Sequence, residues 1–255
     1  MLAIARIGYY VVGIGGLVLT AGFAKRLPWA TWLWPWPDGP LSYLFVASIL
    51  AAFAVGSLLV VLTQDWRGVS GGAIALLVGF GGMTVVLSQL GATPYAAGFG
   101  IIALTAAAML HWSLRDKPRD GRAIPPIVRA SFIVFTLALL AAGVALIAKM
   151  PHIFPWPLKP ETSVMYGLMF VGLCLNYLYV ALRGSWSDAK VSLLGFLAYD
   201  LVLIGPFIKL FPHVRPDHRL SLMLYTAVLV YSGALAIAYL AISPRWQLWA
   251  PAIGK

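Results

Sequence analysis

The residue in this sequence most able to do chemistry inside a membrane is Asp200, an acid that stands deep within a long apolar run. Asn176 stands within the preceding run. Because a helical residue rises 1.5 Å, Asn176 lies about 10 Å before the end of its run at Arg183, and Asp200 lies about 15 Å after the start of the next at Lys190. The two side chains are therefore expected at comparable depth, where they can meet across a helical hairpin.

Asp200 has two interpretations, because an ionisable group in a membrane is costly and is often functional. In the first, hydrogen bonds with Asn176 or with a tyrosine of similar depth, Tyr199 or Tyr231, make it a structural group that fixes helix register. In the second, it carries protons or binds a cation or a cationic partner. The sequence leaves both interpretations open.

The sequence contains no signature of a catalytic or metal centre. No Ser-His-Asp, Cys-x-x-Cys, paired-carboxylate or phosphate-loop pattern is present, so no catalytic residue is predicted. Three histidines, His152, His213 and His218, fall in predicted loops without ligand spacing on a helix. They are interpreted as solvated loop residues, and no metal or other cofactor is predicted, although the sequence leaves a bound lipid or quinone as an option.

The elements that position these residues are apolar helices. The chain has 255 residues, of which 61% are hydrophobic and 10% charged, whereas a soluble domain carries about 25% charged residues. A membrane-spanning helix needs about 20 mainly apolar residues. Eight segments meet this requirement: 7–23, 41–63, 69–90, 95–112, 127–147, 164–182, 191–210 and 220–242.

A repeated motif divides the eight segments into two sets of four. Pro35-Trp36-Pro37, followed by Pro40, recurs 120 residues later as Pro155-Trp156-Pro157, followed by Pro160. Four helices return the chain to the side on which it began, so the two units run parallel rather than inverted. The sequence therefore predicts an all-α integral membrane protein with eight transmembrane helices in two parallel four-helix repeats.

The predicted units are residues 1–114 and 127–255, joined by a charged linker at 115–126. The positions 120 residues before Asn176 and Asp200 hold Gly56 and Phe80. The polar pair therefore occurs in the second unit alone, and any chemistry it performs is asymmetric.

The distribution of lysine and arginine predicts the orientation. Eleven of these residues fall on the side of the N-terminus and the linker, and seven fall on the opposite side. Positive charge is retained on the cytoplasmic side, which predicts that both termini are cytoplasmic and that the Pro-Trp-Pro loops face outward. The net charge of +10 is thereby explained by orientation, and nucleic acid is not predicted as a partner.

Tryptophans surround the repeated motif. Tryptophan anchors well at a membrane interface, where its ring is in apolar and its N–H in wet surroundings. The alternative is a docking surface for a lipid, a quinone or a partner helix, and the excess in the first copy favours it. The candidates for either role are Trp29, Trp32, Trp34 and Trp36 in the first copy and Trp156 in the second.

The stretch Ala21-Gly22-Phe23-Ala24-Lys25, which ends a first helix that begins after Arg6, resembles the first-helix pattern of DoxX-like four-helix membrane proteins. The Pro-Trp-Pro-x-x-Pro feature is similar to that of many bacterial multipass proteins. The resemblance implies a four-helix unit, here duplicated, in a bacterial inner membrane. It also implies an association with respiratory or thiol redox systems, and it transfers no catalytic residue.

Three functions follow as hypotheses. The first is a non-catalytic structural or accessory subunit of a larger, energy-transducing membrane complex, with the lipid bilayer and other membrane subunits as partners. The second is a transporter or channel for a small solute or proton that uses Asp200 and Asn176. The third is a quinone- or lipid-interacting redox protein.

Overall fold

The computed structural model describes residues 2–248, with side chains from residue 6 onward. Within these residues the chain forms helices and no strands. Eight of the helices are long and apolar enough to cross a membrane. The predicted fold class, an all-α multipass membrane protein with eight membrane helices, is confirmed.

The helices begin and end close to the predicted segments. They are α1 (Leu2–Ala24), α2 (Pro28–Thr31, one short turn), α3 (Pro40–Thr63), α4 (Val69–Gln89), α5 (Thr93–Ser113), α6 (Pro126–Ile147), α7 (Pro160–Arg183), α8 (Trp186–Leu210) and α9 (Arg219–Ile237). Short 3-10 helices precede α4 at Trp66–Gly68 and α9 at Pro216–His218, and a π-helix continues α9 over Ala238–Ile242.

Three helices, α1, α7 and α8, begin about one turn earlier than the sequence predicted. The segment predicted from Val191 begins at Trp186, because Ser185 and Asp188 form a capping box in which each side chain bonds the other's backbone. The extra turn brings Asp188 and Lys190 into the helix. Both side chains are buried, so this end of the bundle has a polar interior.

The membrane helices form an inner group of four and an outer group of four. Among the inner helices, α3 packs against α8, and α4 packs against α7. The outer helices each pack on one inner helix, namely α1 on α3, α5 on α4, α6 on α7 and α9 on α8. The inner helices of one half thus pack on those of the other half, while α3 and α4, or α7 and α8, contact each other little.

Glycines allow the closest of these helix contacts. A Cβ atom at Gly172 of α7 would collide with the carbonyl oxygen of Ala75 on α4. A Cβ atom at Gly167 would lie 2.7 Å from the carbonyl oxygen of Gly143, across the contact between α7 and α6. Small residues let two helix backbones approach each other closely. Such packing matters in membranes, because burial of apolar side chains does not favour helix association there.

The two Pro-Trp-Pro loops lie side by side at one end of the bundle, called here the loop end. Trp156 of the second loop donates its indole N–H to Ser42 Oγ of α3 at 3.1 Å. Thr162 donates to Asp38 Oδ2 of the first loop at 2.7 Å. The opposite end, which holds the segment between α5 and α6, is called the linker end. Polar contacts thus join the two halves at the loop end.

The close contact at Gly172 gives a stability test. Gly172→Ala should lower the stability of the protein by about 1–3 kcal/mol, because backbone on α4 must move to admit the methyl group. Gly81→Ala, on α4 with open space around its α-carbon, is the matched control and should leave stability unchanged or slightly raised. Thermal unfolding in detergent micelles measures both. Equal melting temperatures for the two variants would contradict the close packing of α4 on α7.

Candidate functional site

A cavity of about 590 Å³ lies in the middle of the bundle and is lined by residues from all eight membrane helices. This volume is in the range of pockets that hold small molecules. Most of the lining side chains are aliphatic or aromatic, as at Ile49, Leu76 and Phe196. The cavity is therefore suited to an apolar occupant.

Small residues create the space. Gly56, Gly72 and Gly195 line the cavity on the inner helices. The nearest neighbour of a Cβ atom at Gly195 would be Ala52, at 3.6 Å, an ordinary van der Waals distance. On α6 the lining residues include four alanines with helical spacing, which place one small-residue face toward the cavity. These alanines are Ala138, Ala141, Ala142 and Ala145.

Between α6 and α9 the lining of the cavity reaches the surface of the bundle, as it also does at Val12 of α1. Near the linker end α6 and α9 are joined, since Ser131 Oγ and Tyr231 Oη lie 2.7 Å apart in a hydrogen bond. Toward the loop end, Ala138 of α6 and Leu224 and Val228 of α9 line the cavity and are also exposed on the surface of the bundle. A molecule in the lipid phase can therefore reach the cavity without crossing water.

Two polar atoms at the cavity lack a hydrogen-bond partner among the described residues. They are the Asn176 Oδ1 and Tyr225 Oη atoms, and both residues line the cavity. Asn176 is 6% exposed and its Oδ1 atom lies against Gly71 of α4. A buried polar atom without a partner costs free energy, so an occupant with a hydrogen-bonding group would be stabilised here.

The predicted pairing of Asn176 with Asp200 is wrong. Asp200 Oδ2 accepts a hydrogen bond from Ser232 Oγ on α9 at 2.9 Å, whereas Asn176 faces Gly71 on α4. The Asn176 and Asp200 side chains point in different directions, because α7 packs on α4 and α6 while α8 packs on α3 and α9. Of the candidates, Asn176 and Tyr199 line the cavity, and Asp200 and Tyr231 bond to neighbouring helices instead.

The tryptophans divide into two groups. Trp29 and Trp32 are exposed, at 49% and 74%, which suits the predicted contact with lipid, quinone or a partner. Trp34 and Trp156 are buried and Trp36 is half-buried. The prediction of a surface contact is therefore corrected for Trp34 and Trp156, which pack between the two halves.

One of the loop histidines also differs from its prediction. His218, interpreted as a solvated residue, is 5% exposed, and its Nδ1 atom lies 2.7 Å from the carbonyl oxygen of Phe154. His152 and His213 are exposed as predicted. His152 also lines the loop end of the cavity.

A buried ion pair that the sequence reasoning missed closes the linker end. Asp65, at the end of α3, is 1% exposed, and its Oδ2 atom lies 3.1 Å from Nζ of Lys190 on α8. Ser187 Oγ also donates to Asp65 Oδ2, and the backbone N–H of Arg119 donates to Oδ1 at 3.3 Å. The available signal was that both charges stand at the linker-end boundary of an apolar run, Asp65 after 41–63 and Lys190 before 191–210.

The linker docks on this ion pair. The backbone N–H of Asp120 donates to Ser187 Oγ at 3.0 Å, and the Asp120 carboxylate pairs with Arg122. Burial acts to raise the pKa of Asp120, but the hydrogen bonds and charge of Arg122 outweigh it and hold the pKa below its usual value. The resulting stability is present above the usual aspartate pKa and is lost as the pH falls through the lowered value.

Comparisons of this chain with protein-family models, with curated proteins and with solved structures found no match. The resemblance to DoxX-like proteins therefore stays a prediction.

The buried ion pair gives a second stability test. Lys190→Met should destabilise the protein by about 3–5 kcal/mol, because it leaves the Asp65 carboxylate buried without its counter-charge. The double variant Asp65→Asn/Lys190→Met removes both charges and should regain a large part of this loss.

Lys209→Met is the matched control, since Lys209 lies exposed on the same helix, and it should change stability by less than about 0.5 kcal/mol. Thermal unfolding in detergent measures all three variants. A single Lys190 variant as stable as the Lys209 control would show that the pair does not hold the linker end together.

Proposed function

We propose that this multipass membrane protein binds a lipid-like molecule, with a long apolar body and at least one hydrogen-bonding group, in the cavity between its helices. The observation that carries the proposal is the cavity of about 590 Å³ with its opening between α6 and α9. A membrane lipid and an isoprenoid quinone both have this chemistry.

The lining supports an apolar ligand held at a polar point. Burial of apolar surface stabilises a ligand by roughly 25 cal/mol for each Å² removed from water, but a molecule that enters from lipid gains less from burial and more from packing and hydrogen bonds. Asn176 and Tyr225 offer the unpartnered oxygen atoms for such bonds. They are the groups that distinguish the cavity from the surrounding lipid.

A role as an accessory subunit of a larger membrane complex is a second proposal. Trp29 and Trp32 are exposed large aromatic side chains in the first loop region, and aromatic residues are enriched at protein interfaces. We also propose a bacterial inner membrane, which the resemblance to DoxX-like proteins implies, with both termini cytoplasmic, which the distribution of lysine and arginine supports.

A pathway for protons or cations through Asp200 has less support. Asp200 bonds to Ser232 and is not among the residues that line the cavity. The hypothesis stays a prediction, with the contact to Ser232 and Gly233 favouring the structural interpretation of this acid.

The proposal is tested by the molecules that purify with the protein. Gly195→Phe and Ala142→Phe each place a large side chain at a position that lines the cavity. Both variants should lose the apolar molecules that solvent extraction and mass spectrometry detect in the wild-type protein after extensive detergent washing. Leu140→Phe, on the exposed face of the same helix α6, should retain them.

The wild type and the Leu140 variant should yield a stoichiometric apolar molecule, and the two cavity variants should not. If all four proteins yield the same amount, the molecule is bound elsewhere on the surface and the proposal is wrong. If the wild type yields no apolar molecule after mild purification, the proposal is wrong as well. Thermal unfolding of each variant confirms that a loss of ligand is not a loss of fold.

A further inference from the structure

A polar cluster at the loop end combines three side chains that commonly bind metals, His152, Asp217 and His218. One ring nitrogen of each histidine and one carboxylate oxygen of Asp217 lie within 4.8 Å of one another. His152 Nδ1 lies 3.4 Å from Asp217 Oδ2, and the two imidazole rings have centroids 4.9 Å apart. The cluster joins the second Pro-Trp-Pro loop to the start of α9.

The Nδ1 atom of His218 makes the kind of hydrogen bond that orients the ring in metal-binding histidines. This atom lies 2.7 Å from the carbonyl oxygen of Phe154. A carbonyl oxygen only accepts, so Nδ1 carries a proton, and in the neutral imidazole Nε2 then has the lone pair that a metal needs. Metal-bound histidines usually donate their other N–H to a carbonyl or carboxylate oxygen, which fixes the tautomer and the orientation of the ring. His218 is therefore a preorganised ligand.

The backbone holds His152 beside it. His152 has φ of 62°, in the left-handed region that non-glycine residues rarely adopt, and its carbonyl oxygen accepts a hydrogen bond from Ser221 Oγ on α9. Such a conformation persists where surrounding contacts hold it, often at a functional site. The side chain of His152 is 48% exposed and that of Asp217 is 47% exposed, so both can rotate toward a bound ion.

The first half of the chain lacks this cluster. The positions 120 residues before His152, Asp217 and His218 hold Trp32, Ala97 and Gly98. There the loop is joined to the start of α5 by a hydrogen bond from Tyr95 Oη to the carbonyl oxygen of Trp32, at 2.9 Å. A purely structural joint between loop and helix thus needs no histidine or aspartate, and the three ligand residues are particular to the second half.

We propose that His152, Asp217 and His218 bind one divalent transition-metal ion, of which Zn²⁺ fits the ligand set best. Imidazole nitrogen with carboxylate oxygen suits zinc, which takes these ligands at about 2.0–2.2 Å. Three protein ligands leave a fourth position for water. The ion would fix the second Pro-Trp-Pro loop to α9 at the rim of the cavity. This inference does not depend on the proposed lipid-like ligand.

The test is zinc binding by the full chain, purified in detergent without a polyhistidine tag and stripped with a chelator. Equilibrium dialysis against Zn²⁺ with elemental analysis should give one ion per chain. Asp217→Asn and His152→Gln should each weaken binding by more than about 100-fold, since even the loss of an outer-shell partner of a metal ligand costs roughly 10–100-fold. Bound zinc should also raise the melting temperature of the wild type.

The matched control is His213→Gln, an exposed histidine in the same inter-helix segment that is outside the cluster, and it should bind zinc as the wild type does. Asp217 and His152 are half-exposed, so their variants are expected to fold, and their melting temperatures without zinc verify this. Binding of less than one ion by the wild type would overturn the proposal. So would equal affinities of the Asp217, His152 and His213 variants, which would leave the cluster as an ion pair alone.

Discussion

The crossed packing of the four inner helices is the contact on which the rest of this structure depends. Each half places its second and third membrane helices, α3 and α4 or α7 and α8, against the third and second of the other half. Burial of apolar side chains does not favour helix association in lipid. The contact is therefore stabilised by close backbone approach and by paired polar groups. Gly172 supplies the close approach between α7 and α4, and Asp65 with Lys190 supplies a paired charge between the end of α3 and α8.

The polar contacts between the halves are concentrated at the two ends of the bundle. At the loop end, Ser42 accepts hydrogen bonds from Trp156 with its side chain and from Tyr166 with its carbonyl oxygen. At the linker end, Asp65, Lys190 and Ser187 form a buried polar group. Between the ends the facing residues are small or apolar; α4 and α7 pack closely there, as at Gly172, while the other inner surfaces enclose the cavity. The cavity is thus a consequence of how the halves are joined.

Much of the architecture could be predicted from the sequence, because helix existence follows from hydropathy and helix starts follow from proline. The neighbours of each helix could not. Residue counting gave Asn176 and Asp200 similar depths, but the direction of each side chain depends on which helices pack around it. Asn176 therefore faces Gly71 and Asp200 bonds to Ser232.

The missed residues share one cause. Hydropathy places charged residues outside the membrane segments, so Lys190 was counted as a loop charge and Asp65 was not singled out. Because of the capping box at Ser185, α8 begins early enough to include Lys190. Trp156 was likewise interpreted from its type as an interface residue, although the polar atom that its N–H needs is Ser42, from the other half. Contacts between halves decide burial here, and such contacts are distant in sequence.

The central claim is that the cavity between the helices can be reached from the lipid phase through the gap between α6 and α9. Photolabelling with a diazirine-bearing fatty acid, in vesicles that contain the protein, tests it most directly when the labelled residues are mapped by mass spectrometry. The account predicts labels on the alanine face of α6 and at inner positions such as Phe196 and Tyr199, which line the cavity. Labels confined to outward-facing side chains such as Leu137 and Leu140, both exposed, would contradict it.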